Sequence, residues 1–344
     1  MLLIIVLIVL LVALLGAILH PLVLLFGLLP GHAASWLSRI NDVKLFISDA
    51  LAWAFLGFLI LMGSAIVAER LARRRAAGQP DHEDSASEEW AGGHPTPLRM
   101  AIAITAYDEA LAIATVVRDF KAQDGVVEVI VIDNNSRDDT AALATAAGAI
   151  VVREDRQGYG YACMRGLREA LKVADASVVV LTEGDGTFVG GDLSKFGAYI
   201  GQADMVLGTR VVPHLVQSGS QMDRFFTWGN IAVGTLLRLK FWDIQFLGAA
   251  RLSDVGCTYR AIRRDALERI LPDLAVGGNH FSPHMIVVAL NRGLSVIEIP
   301  VTFRRRIGES KGASQSFRKG LEIGLVMIWH IMTYRCKTLP RSAA

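Results

Sequence analysis

The stretch VEVIVIDNNSRDDTAALATAAGAIVV (127–152) decides the fold of this chain. It opens with an apolar run (127–132) typical of a buried strand, and it closes with a second such run, AIVV (149–152). Between them, DDTAALATAAG (138–148) repeats its apolar residues at helical spacing. Because parallel strands need a crossover connection, usually a helix, the order strand, helix, strand indicates a parallel pair.

The same alternation continues on both sides of this unit. Upstream, MAIAIT (100–105) predicts a buried strand and ALAIATVVRDFKA (110–122) predicts a helix. Downstream, YACMRGLREALKV (161–173) predicts a helix, and SVVVLT (177–182) and DMVLG (204–208) predict strands. The sequence therefore predicts an α/β fold with a mostly parallel sheet and helices on both of its faces. In such a sheet, ligands bind beyond the carboxyl ends of the strands.

Composition limits the class of protein. Of the 344 residues, 52% are hydrophobic and 20% are charged, which excludes disordered, collagen-like and coiled-coil chains. The formal net charge of +2 is too small to indicate a nucleic-acid-binding protein, so no nucleic acid partner is expected. Cys163, Cys257 and Cys336 lie far apart in the sequence, which excludes a disulfide framework and a cysteine zinc site.

The N-terminal part of the chain predicts a transmembrane hairpin over residues 1–70. Two apolar runs, at about 3–29 and 45–68, are each long enough to cross the hydrocarbon core of a bilayer. A cleaved signal peptide is the alternative for the first run, but it would need a basic segment before a short apolar core. The basic cluster Arg73–Arg75 follows the second run, so the positive-inside rule places the N-terminus and the rest of the chain in the cytoplasm.

Acidic side chains follow three of the predicted strands. Glu109 comes after the first strand, Asp133 after the second, and Glu183 and Asp185 after the strand at 177–182. Because the carboxyl ends of parallel strands meet at one edge of the sheet, these carboxylates converge there and repel one another unless a cation lies among them. Mg²⁺ or Mn²⁺ fits such a site, since phosphate and water complete its coordination. For the acidic turn EGDG (183–186) taken by itself, the alternative is an ordinary surface turn exposed to solvent.

Seven short motifs in this sequence follow one another at the spacing of a known family. They are ITAYDEA (104–110), VIDNNSRDDT (131–140), RQGYGYACMRGLREA (156–170), LTEGDGTF (181–188), LGTR (207–210), DVGCTYRAIRR (254–264) and IEIPVTFRRRIGESK (297–311). With these motifs, residues 99–312 resemble the family 2 glycosyltransferases, in the dolichol-phosphate or polyprenyl-phosphate mannosyltransferase-like branch. The resemblance implies the Rossmann-like glycosyltransferase A fold, which binds a nucleotide sugar. Thr105 departs from the family pattern, in which proline is usual.

The resemblance also implies a domain organisation. The glycosyltransferase catalytic domain is expected at 98–312, behind a flexible cytoplasmic linker at 71–97 that is rich in glycine, proline, serine and acidic residues. Residues 313–344 are expected to form a C-terminal amphipathic or membrane-associated helix and tail. The chain would then be a multi-pass integral membrane protein with its catalytic domain on the cytoplasmic face, at the plasma or inner membrane in a prokaryote.

Two stretches within this organisation have an apolar face. Residues 230–247 and 320–334 combine apolar side chains with charged ones, so each is expected either to lie in the headgroup plane of the membrane or to pack on the protein core. Gly158-Tyr159-Gly160 is interpreted as a place of close backbone packing under the nucleotide rather than as a dinucleotide-binding loop. His280 and His284 are interpreted as structural.

The resemblance assigns roles to residues of the matching motifs. It implies that Asp185 and Asp254 are catalytic, and that Glu183, Asp185 and Thr187 bind Mg²⁺ or Mn²⁺. The residues implied in nucleotide-sugar binding are Ala106, Tyr107, Glu109, Asp133, Asn134, Glu183 and Gly184. The residues implied in binding an acceptor phosphate are Arg210, Arg224, Arg306 and Lys311.

Four of these roles have alternatives. Arg306 belongs to the basic cluster 304–306, for which a solvated turn beside anionic lipid is the alternative. Glu183 stands where aspartate is commoner in the family, so contact with the sugar, or with the metal through water, is an alternative to direct ligation. Asp133 also suits an ordinary turn at a strand end. Asp254 is either a general base for a hydroxyl acceptor or a positioning group, because an ionised phosphate acceptor needs less help from a base.

The implied reaction is an inverting, metal-dependent transfer of a hexose from a nucleoside diphosphate sugar to a polyprenyl phosphate. The membrane hairpin favours this acceptor, since it would tether the catalytic domain to membrane lipid. The first alternative is a hydroxyl acceptor on a glycolipid or polysaccharide, and the second is a non-catalytic nucleotide-sugar-binding subunit of a membrane complex. The sequence indicates no particular sugar, base, lipid length or oligomeric state.

Overall fold

The computed structural model describes residues 98–222, 224–241, 251–308 and 317–334. The expected hairpin at 1–70 and linker at 71–97 lie outside these residues. Within them, none of the helices combines the length and the apolar character that a bilayer crossing requires.

Seven strands and eight α-helices make up the described part of the chain. The strands are β1 (Met100–Ala106), β2 (Val126–Asp133), β3 (Ile150–Arg153), β4 (Val178–Glu183), β5 (Met205–Thr209), β6 (Arg260–Arg263) and β7 (Val296–Pro300). The helices are α1 (Ile113–Lys121), α2 (Thr140–Ala146), α3 (Tyr159–Ala170), α4 (Leu193–Ile200), α5 (Arg224–Lys240), α6 (Arg264–Ile270), α7 (Phe281–Asn291) and α8 (Phe317–Thr333).

All seven strands form one sheet, in the order β3-β2-β1-β4-β6-β5-β7. β6 runs antiparallel to β4 and β5, and the other pairs are parallel. The five strands and three helices expected between 100 and 208 are confirmed, as is the mixed α/β fold with a mostly parallel sheet. Neither β6 nor β7 was predicted as a strand, because charged residues lie at the ends of the first short run and within the second.

The strand register aligns the candidate residues at one edge of the sheet. Thr105 of β1 lies opposite Glu183 of β4, and Ala106 lies opposite Asp133 of β2. The parallel strands therefore end side by side, as expected. Since β6 runs the other way, the segment before it (254–259), rather than the segment after it, lies at this edge.

Helices cover both faces of the sheet with separate apolar layers. On one face, Phe120 of α1 and Phe196 of α4 pack around the ring of Tyr259, at centroid distances of 5.7 and 4.6 Å. On the other face, α3, α6 and α7 bury Leu167, Leu267 and Phe281 completely. Burial of each such side chain contributes roughly 1.5–3 kcal/mol, so both layers hold the sheet edge in place.

Helices α5 and α8 pack against each other, and α8 also packs on α7. Each of the two helices has a buried side, on which Leu237 and Ile331 are fully enclosed. Each also carries large apolar side chains in contact with solvent, such as Trp228 on α5 and Trp329 on α8, which are 70% and 56% exposed. Both helices therefore pack on the core and keep an exposed apolar side, and their position in the headgroup plane stays a prediction.

Candidate active site

A cavity of about 600 Å³ opens at the carboxyl edge of the sheet. Its polar part lies at the ends of β1 and β4 and beside the segment before β6. The polar side chains lining it include Tyr107, Glu109, Asn134, Tyr159, Glu183, Asp185, Arg210, Thr258, Ser282 and Arg306. Its other part runs between α5 and α8, where the lining is mainly apolar and includes Met222, Phe226, Val233, Leu321, Ile323, Leu325, Met327 and Ile328.

Asp185 is buried at the end of β4 and held from two sides. Its Oδ1 accepts hydrogen bonds from the backbone N–H and the hydroxyl of Thr187, at 3.0 and 2.6 Å. Its Oδ2 accepts one from Nη1 of Arg306 at 2.6 Å. Gly186 between them has φ +79°, a conformation that favours glycine, and this makes the tight turn. Thr187, expected among the metal ligands, here orients the Asp185 carboxylate.

Glu183 faces a chain of hydroxyl groups. Its Oε1 accepts a hydrogen bond from the Thr258 hydroxyl at 2.6 Å, and Thr258 is in turn bonded to the hydroxyl of Tyr159. The Tyr159 hydroxyl also lies 3.1 Å from the Ser282 hydroxyl. Burial, together with the charge of Asp185, raises the pKa of the Glu183 carboxyl above its usual value. This wall of hydroxyls suits contact with a polar ligand, and metal ligation by Glu183 stays a prediction.

Glu109 and Arg306 connect the first strand to the last loop of the domain. The backbone N–H of Glu109 donates to the Thr140 hydroxyl at 2.7 Å, which fixes the turn after β1. The Glu109 carboxylate accepts a charge-assisted hydrogen bond from Nη2 of Arg306, whose Nη1 contacts Asp185. The sequence grouped Arg306 with the acceptor phosphate. In the structure, its guanidinium bridges the carboxylates of Glu109 and Asp185, which follow β1 and β4, and its role toward the acceptor stays a prediction.

Asp254 and Arg210 form a forked ion pair at the cavity wall. Nε and Nη2 of Arg210 donate to the two oxygens of Asp254 at 2.7 and 2.9 Å, and the Arg210 backbone N–H donates at 3.0 Å. The Asp254 side chain has no exposed surface. Behind it, the carboxylate of Glu298 accepts hydrogen bonds from the backbone N–H groups of Ser253 and Asp254 and from the Ser253 hydroxyl, at 2.6–3.0 Å.

The residues expected to hold the nucleotide divide into two groups. Ala106, Tyr107 and Gly184 line the cavity, as does Asn134. The Asn134 side chain also fastens the following loop, since it donates to the carbonyls of residues 154 and 156 and accepts from the N–H of residue 158. Asp133 is not among the lining residues, and its Oδ1 accepts the backbone N–H of Ser136 at 3.1 Å. This hydrogen bond is the turn role considered for Asp133 in the sequence.

The backbone packs closely at Gly160, as expected for the Gly158-Tyr159-Gly160 segment, while its place under the nucleotide stays a prediction. A Cβ atom on Gly160 would lie 2.0 Å from the carbonyl oxygen of Val276, and its backbone N–H donates to the carbonyl of Gly277 at 2.9 Å. The start of α3 therefore fits against the 276–277 segment only without a side chain at 160.

The side chains of two predicted phosphate-binding residues are not covered by the structure. Lys311 and the Arg224 side chain lie beyond the described residues, so their roles stay predictions. Thr258, Ser282 and Glu298 were not predicted as site residues. Glu298 alone had a visible signal, as the charged residue within the apolar run VIEIP.

The polar part of the cavity suits a divalent cation together with a phosphate. Within the described ranges, no group of three or more His, Cys, Asp and Glu side chains is arranged to hold a metal ion without other ligands. Mg²⁺, however, commonly uses one or two carboxylates and completes its shell with substrate phosphates and water. The Arg306 guanidinium across Asp185 and Glu109 is a stand-in cation, so positive charge fits between these carboxylates.

Comparisons with known proteins agree with this geometry. Residues 101–271 match the family model described as glycosyl transferase family 2. The chain is 32% identical over 227 residues to dolichyl-phosphate hexose transferase of Haloferax volcanii, covering 65% of this chain and 90% of that protein. It is 28% identical over 251 residues to polyprenol monophosphomannose synthase of Mycolicibacterium smegmatis, covering 70% and 91%.

A solved structure supports the fold. Glucosyl-3-phosphoglycerate synthase of Mycobacterium tuberculosis, in complex with Mn²⁺, UDP and glucosyl-3-phosphoglycerate, aligns with a TM-score of 0.51 at 18% identity, over 77% of this chain and 87% of that one. The motifs, the sheet and these relatives agree: the chain belongs to glycosyltransferase family 2, in its dolichol-phosphate or polyprenyl-phosphate mannosyltransferase-like branch, and is a glycosyltransferase.

Proposed function

We propose that this protein transfers a hexose from a nucleoside diphosphate sugar to a polyprenyl phosphate, with inversion at the sugar carbon and with Mg²⁺ or Mn²⁺ as cofactor. The observation that carries the proposal is the two-part cavity. Its carboxylates and hydroxyls suit a sugar diphosphate, and its other part, between α5 and α8, suits a hydrocarbon chain. An acceptor that is polar at one end and apolar along its length matches both parts.

The Arg210–Asp254 pair favours a phosphate acceptor over a hydroxyl acceptor. Both oxygens of Asp254 accept hydrogen bonds from Arg210, so the carboxylate is engaged with a cation rather than open to take a proton. A sugar or lipid hydroxyl would need a general base, whereas an ionised phosphate is already a nucleophile. Arg210 lines the cavity, and its guanidinium, aligned by Asp254 through Nε and Nη2, presents a positive charge that suits phosphate oxygens.

The names of two relatives support the same acceptor class. The Haloferax volcanii protein is named for transfer of a hexose to dolichyl phosphate, and the Mycolicibacterium smegmatis protein for synthesis of a polyprenol monophosphomannose. Both align over about nine-tenths of their own length, so the likeness covers most of each enzyme.

In the proposed reaction, an oxygen of the lipid phosphate forms a bond to the anomeric carbon while the bond from that carbon to the donor diphosphate breaks. Attack from the opposite face inverts the configuration. Asp185 and Glu109 would hold the divalent cation, and the cation would neutralise the charge that develops on the leaving diphosphate. Thr187 keeps Asp185 in its orientation, and Arg210, aligned by Asp254, would bind the incoming phosphate.

Membrane attachment is part of the proposal. The apolar runs at 3–29 and 45–68 would form a hairpin whose ends are cytoplasmic, and the exposed apolar sides of α5 and α8 would face lipid. In intact cells, a membrane-impermeant thiol reagent should label a cysteine introduced at Ser35, between the spans, but not one at Ser85. Labelling at Ser85 from outside would contradict this topology.

The function is tested with membranes that contain the full-length protein. They are incubated with radiolabelled nucleotide sugars, and the lipids are then extracted and treated with mild acid. We expect label in a lipid that mild acid hydrolyses, because a sugar joined through phosphate is acid-labile. Added polyprenyl phosphate should increase the product, while the matching polyprenol should not.

Two controls make this experiment decisive. Membranes with Asp185→Asn should form no labelled lipid, which ties the product to this site. Label in an acid-stable glycolipid or in polysaccharide, stimulated by a hydroxyl acceptor, would contradict the phosphate acceptor.

A further inference from the structure

Arg306 occupies the place between the two site carboxylates where a cation is needed. We infer that Arg306 is a tethered counter-ion, which fills the cation site of the donor-free enzyme and yields it to the divalent ion when the donor diphosphate arrives. The inference rests on the metal site of the proposed function. It differs from the role in acceptor binding expected from the sequence, because the guanidinium contacts Glu109 and Asp185.

The burial of the three groups explains why a cation must be present. The side chains of Asp185, Glu109 and Arg306 are only 3%, 9% and 13% exposed. Two carboxylates with so little contact with water repel each other strongly, and removal of a buried charge partner is costly. Arg306 meets this need with the chain's own charge, so the turn after β4 keeps its shape without an external ion.

The two cations cannot use the site at the same time. Thr187 donates two hydrogen bonds to Oδ1 of Asp185 and thereby fixes the carboxylate. Arg306 contacts the other oxygen, Oδ2, at 2.6 Å and joins it to the Glu109 carboxylate. A divalent ion that binds both carboxylates requires the position that the guanidinium fills, so the two compete.

The exchange needs only the side chain of Arg306 to move. On either side of it, the backbone N–H of Arg304 donates to the carbonyl of Thr187 at 2.7 Å, and that of Ile307 donates to the carbonyl of Asp185 at 3.0 Å. The loop is thus fastened to the turn that carries Asp185. A released guanidinium remains at the cavity edge, where it can form charge-assisted hydrogen bonds with the diphosphate of the donor.

The test is Mn²⁺ binding to the full-length protein in detergent without nucleotide, measured from the electron paramagnetic resonance signal of free Mn²⁺. Arg306→Gln should lower the Kd for Mn²⁺ by about tenfold, because the competing charge-assisted contact is lost. Arg306→Lys, which keeps the charge and loses the fork, should lie between this variant and the wild type. Arg305→Gln is the matched control, since it removes the same charge from an exposed neighbour and should leave the Kd within about twofold of the wild type.

Thermal unfolding gives a second readout. Without metal, Arg306→Gln should have a lower Tm than Arg305→Gln, because Asp185 and Glu109 lose their shared cation. Saturating Mn²⁺ should raise the Tm of Arg306→Gln more than that of the wild type. In contrast, UDP or GDP in the presence of Mn²⁺ should bind Arg306→Gln more weakly than the wild type, because the released guanidinium is missing.

The outcomes separate this inference from the proposed function. If the wild type binds Mn²⁺ and neither Arg306 variant binds it more tightly, the counter-ion role is wrong while the metal site stands. Equal tightening in Arg305→Gln would reduce the effect to net charge and would also overturn the inference. If no form binds Mn²⁺, with or without UDP or GDP, both the inference and the metal-dependent function fail.

Discussion

The site contains two arginine–carboxylate contacts that differ in how they are supported. Arg210 and Asp254 form a forked pair, and Glu298 fastens the segment that carries Asp254 through three hydrogen bonds. Arg306 instead joins Asp185 and Glu109, which belong to separate strand ends, through its guanidinium. The first contact is backed by the hydrogen bonds of Glu298, whereas the second bridges two strand ends through one guanidinium.

This difference indicates which charge is fixed and which is exchangeable. A cation braced by its partner and by the backbone can present a constant positive surface to an incoming phosphate. A guanidinium that bridges two separate strand ends can leave when a competing ion or diphosphate offers better contacts. The two arginines were placed in one group from the sequence, and the structure separates them by these surroundings.

The largest effect is expected when Asp185, which contacts the exchangeable Arg306, loses its charge. Asp185→Asn keeps the shape of the side chain but should lower kcat by at least about a hundredfold, the scale for loss of a major electrostatic contribution to the transition state. The measurement is steady-state transfer to polyprenyl phosphate over a range of Mn²⁺ concentrations. Asp155→Asn, at an exposed position that pairs with Arg153, is the control and should be close to the wild type. Full activity of Asp185→Asn, or of the wild type in EDTA, would contradict the metal assignment.

Changes to the Arg210–Asp254 pair should lower activity less than Asp185→Asn does, and they should affect the lipid acceptor rather than the donor. Arg210→Lys loses the fork, and Asp254→Asn loses the charge that aligns it, so each should cost about 2 kcal/mol, or about thirtyfold in kcat/KM for the lipid. Because both changes break one contact, the double variant should be little worse than either single variant. The measurement is kcat/KM for the lipid together with the Kd of the donor, which should barely change.

One result would reassign this pair. If Asp254→Asn abolishes transfer while Arg210→Lys stays fully active, Asp254 acts as a general base and a hydroxyl acceptor becomes the better account.

The smallest effect is expected at a contact that is neutral rather than charged. Nδ1 of His284 on α7 lies 2.9 Å from Nε2 of His330 on α8, and burial lowers the pKa of both imidazoles to about 4. The unfolded chain binds protons near pH 6.5 and the folded chain does not, so the free energy of unfolding should decrease as the pH falls from about 6.5 to 4. His280, Lys240 and Tyr334 surround the pair.

The measurement is Tm as a function of pH. The wild type should lose several degrees across this range, and His330→Gln should show a flatter dependence because one of the two neutral histidines is gone. His214→Gln, at an exposed position, is the matched control and should keep the slope of the wild type. An unchanged slope in His330→Gln would mean that the pair does not set the pH dependence.

Much of the sheet was predictable because its strands are continuous apolar runs. β1, β2 and β4 lie within a residue or two of their expected bounds. β6 was missed because Arg260 interrupts its pattern. The structure buries this side chain almost completely. Its Nη1 and Nη2 donate to the carbonyls of Ser282 and Cys257, while its buried Nε has no hydrogen-bond partner among the described residues. Such a local pattern cannot distinguish a buried arginine from an exposed one.

The carboxylates of the candidate site were predictable from the sequence, but their hydrogen-bond partners were not. Glu109, Glu183 and Asp185 follow parallel strands, and the sheet geometry by itself brings them together. Their partners come from far along the chain: Thr258 is 75 residues from Glu183, and Arg306 is 197 residues from Glu109. Hydrogen-bond partners at such separations depend on the antiparallel course of β6 and on the loop after β7, neither of which periodicity reveals.

The place of β6 in the sheet also has a consequence for the order in which the protein is assembled during synthesis. β1 to β4 can pair with one another as soon as they emerge, but both sheet neighbours of β5, namely β6 and β7, are made later. β6 begins about 50 residues after the end of β5, and this long loop must close before the sheet is continuous. Arg210, directly after β5, therefore meets Asp254 only in a late step of folding. The half of the site that holds Glu109, Glu183 and Asp185 can therefore form first, and the half that supplies Thr258 and Arg306 completes it.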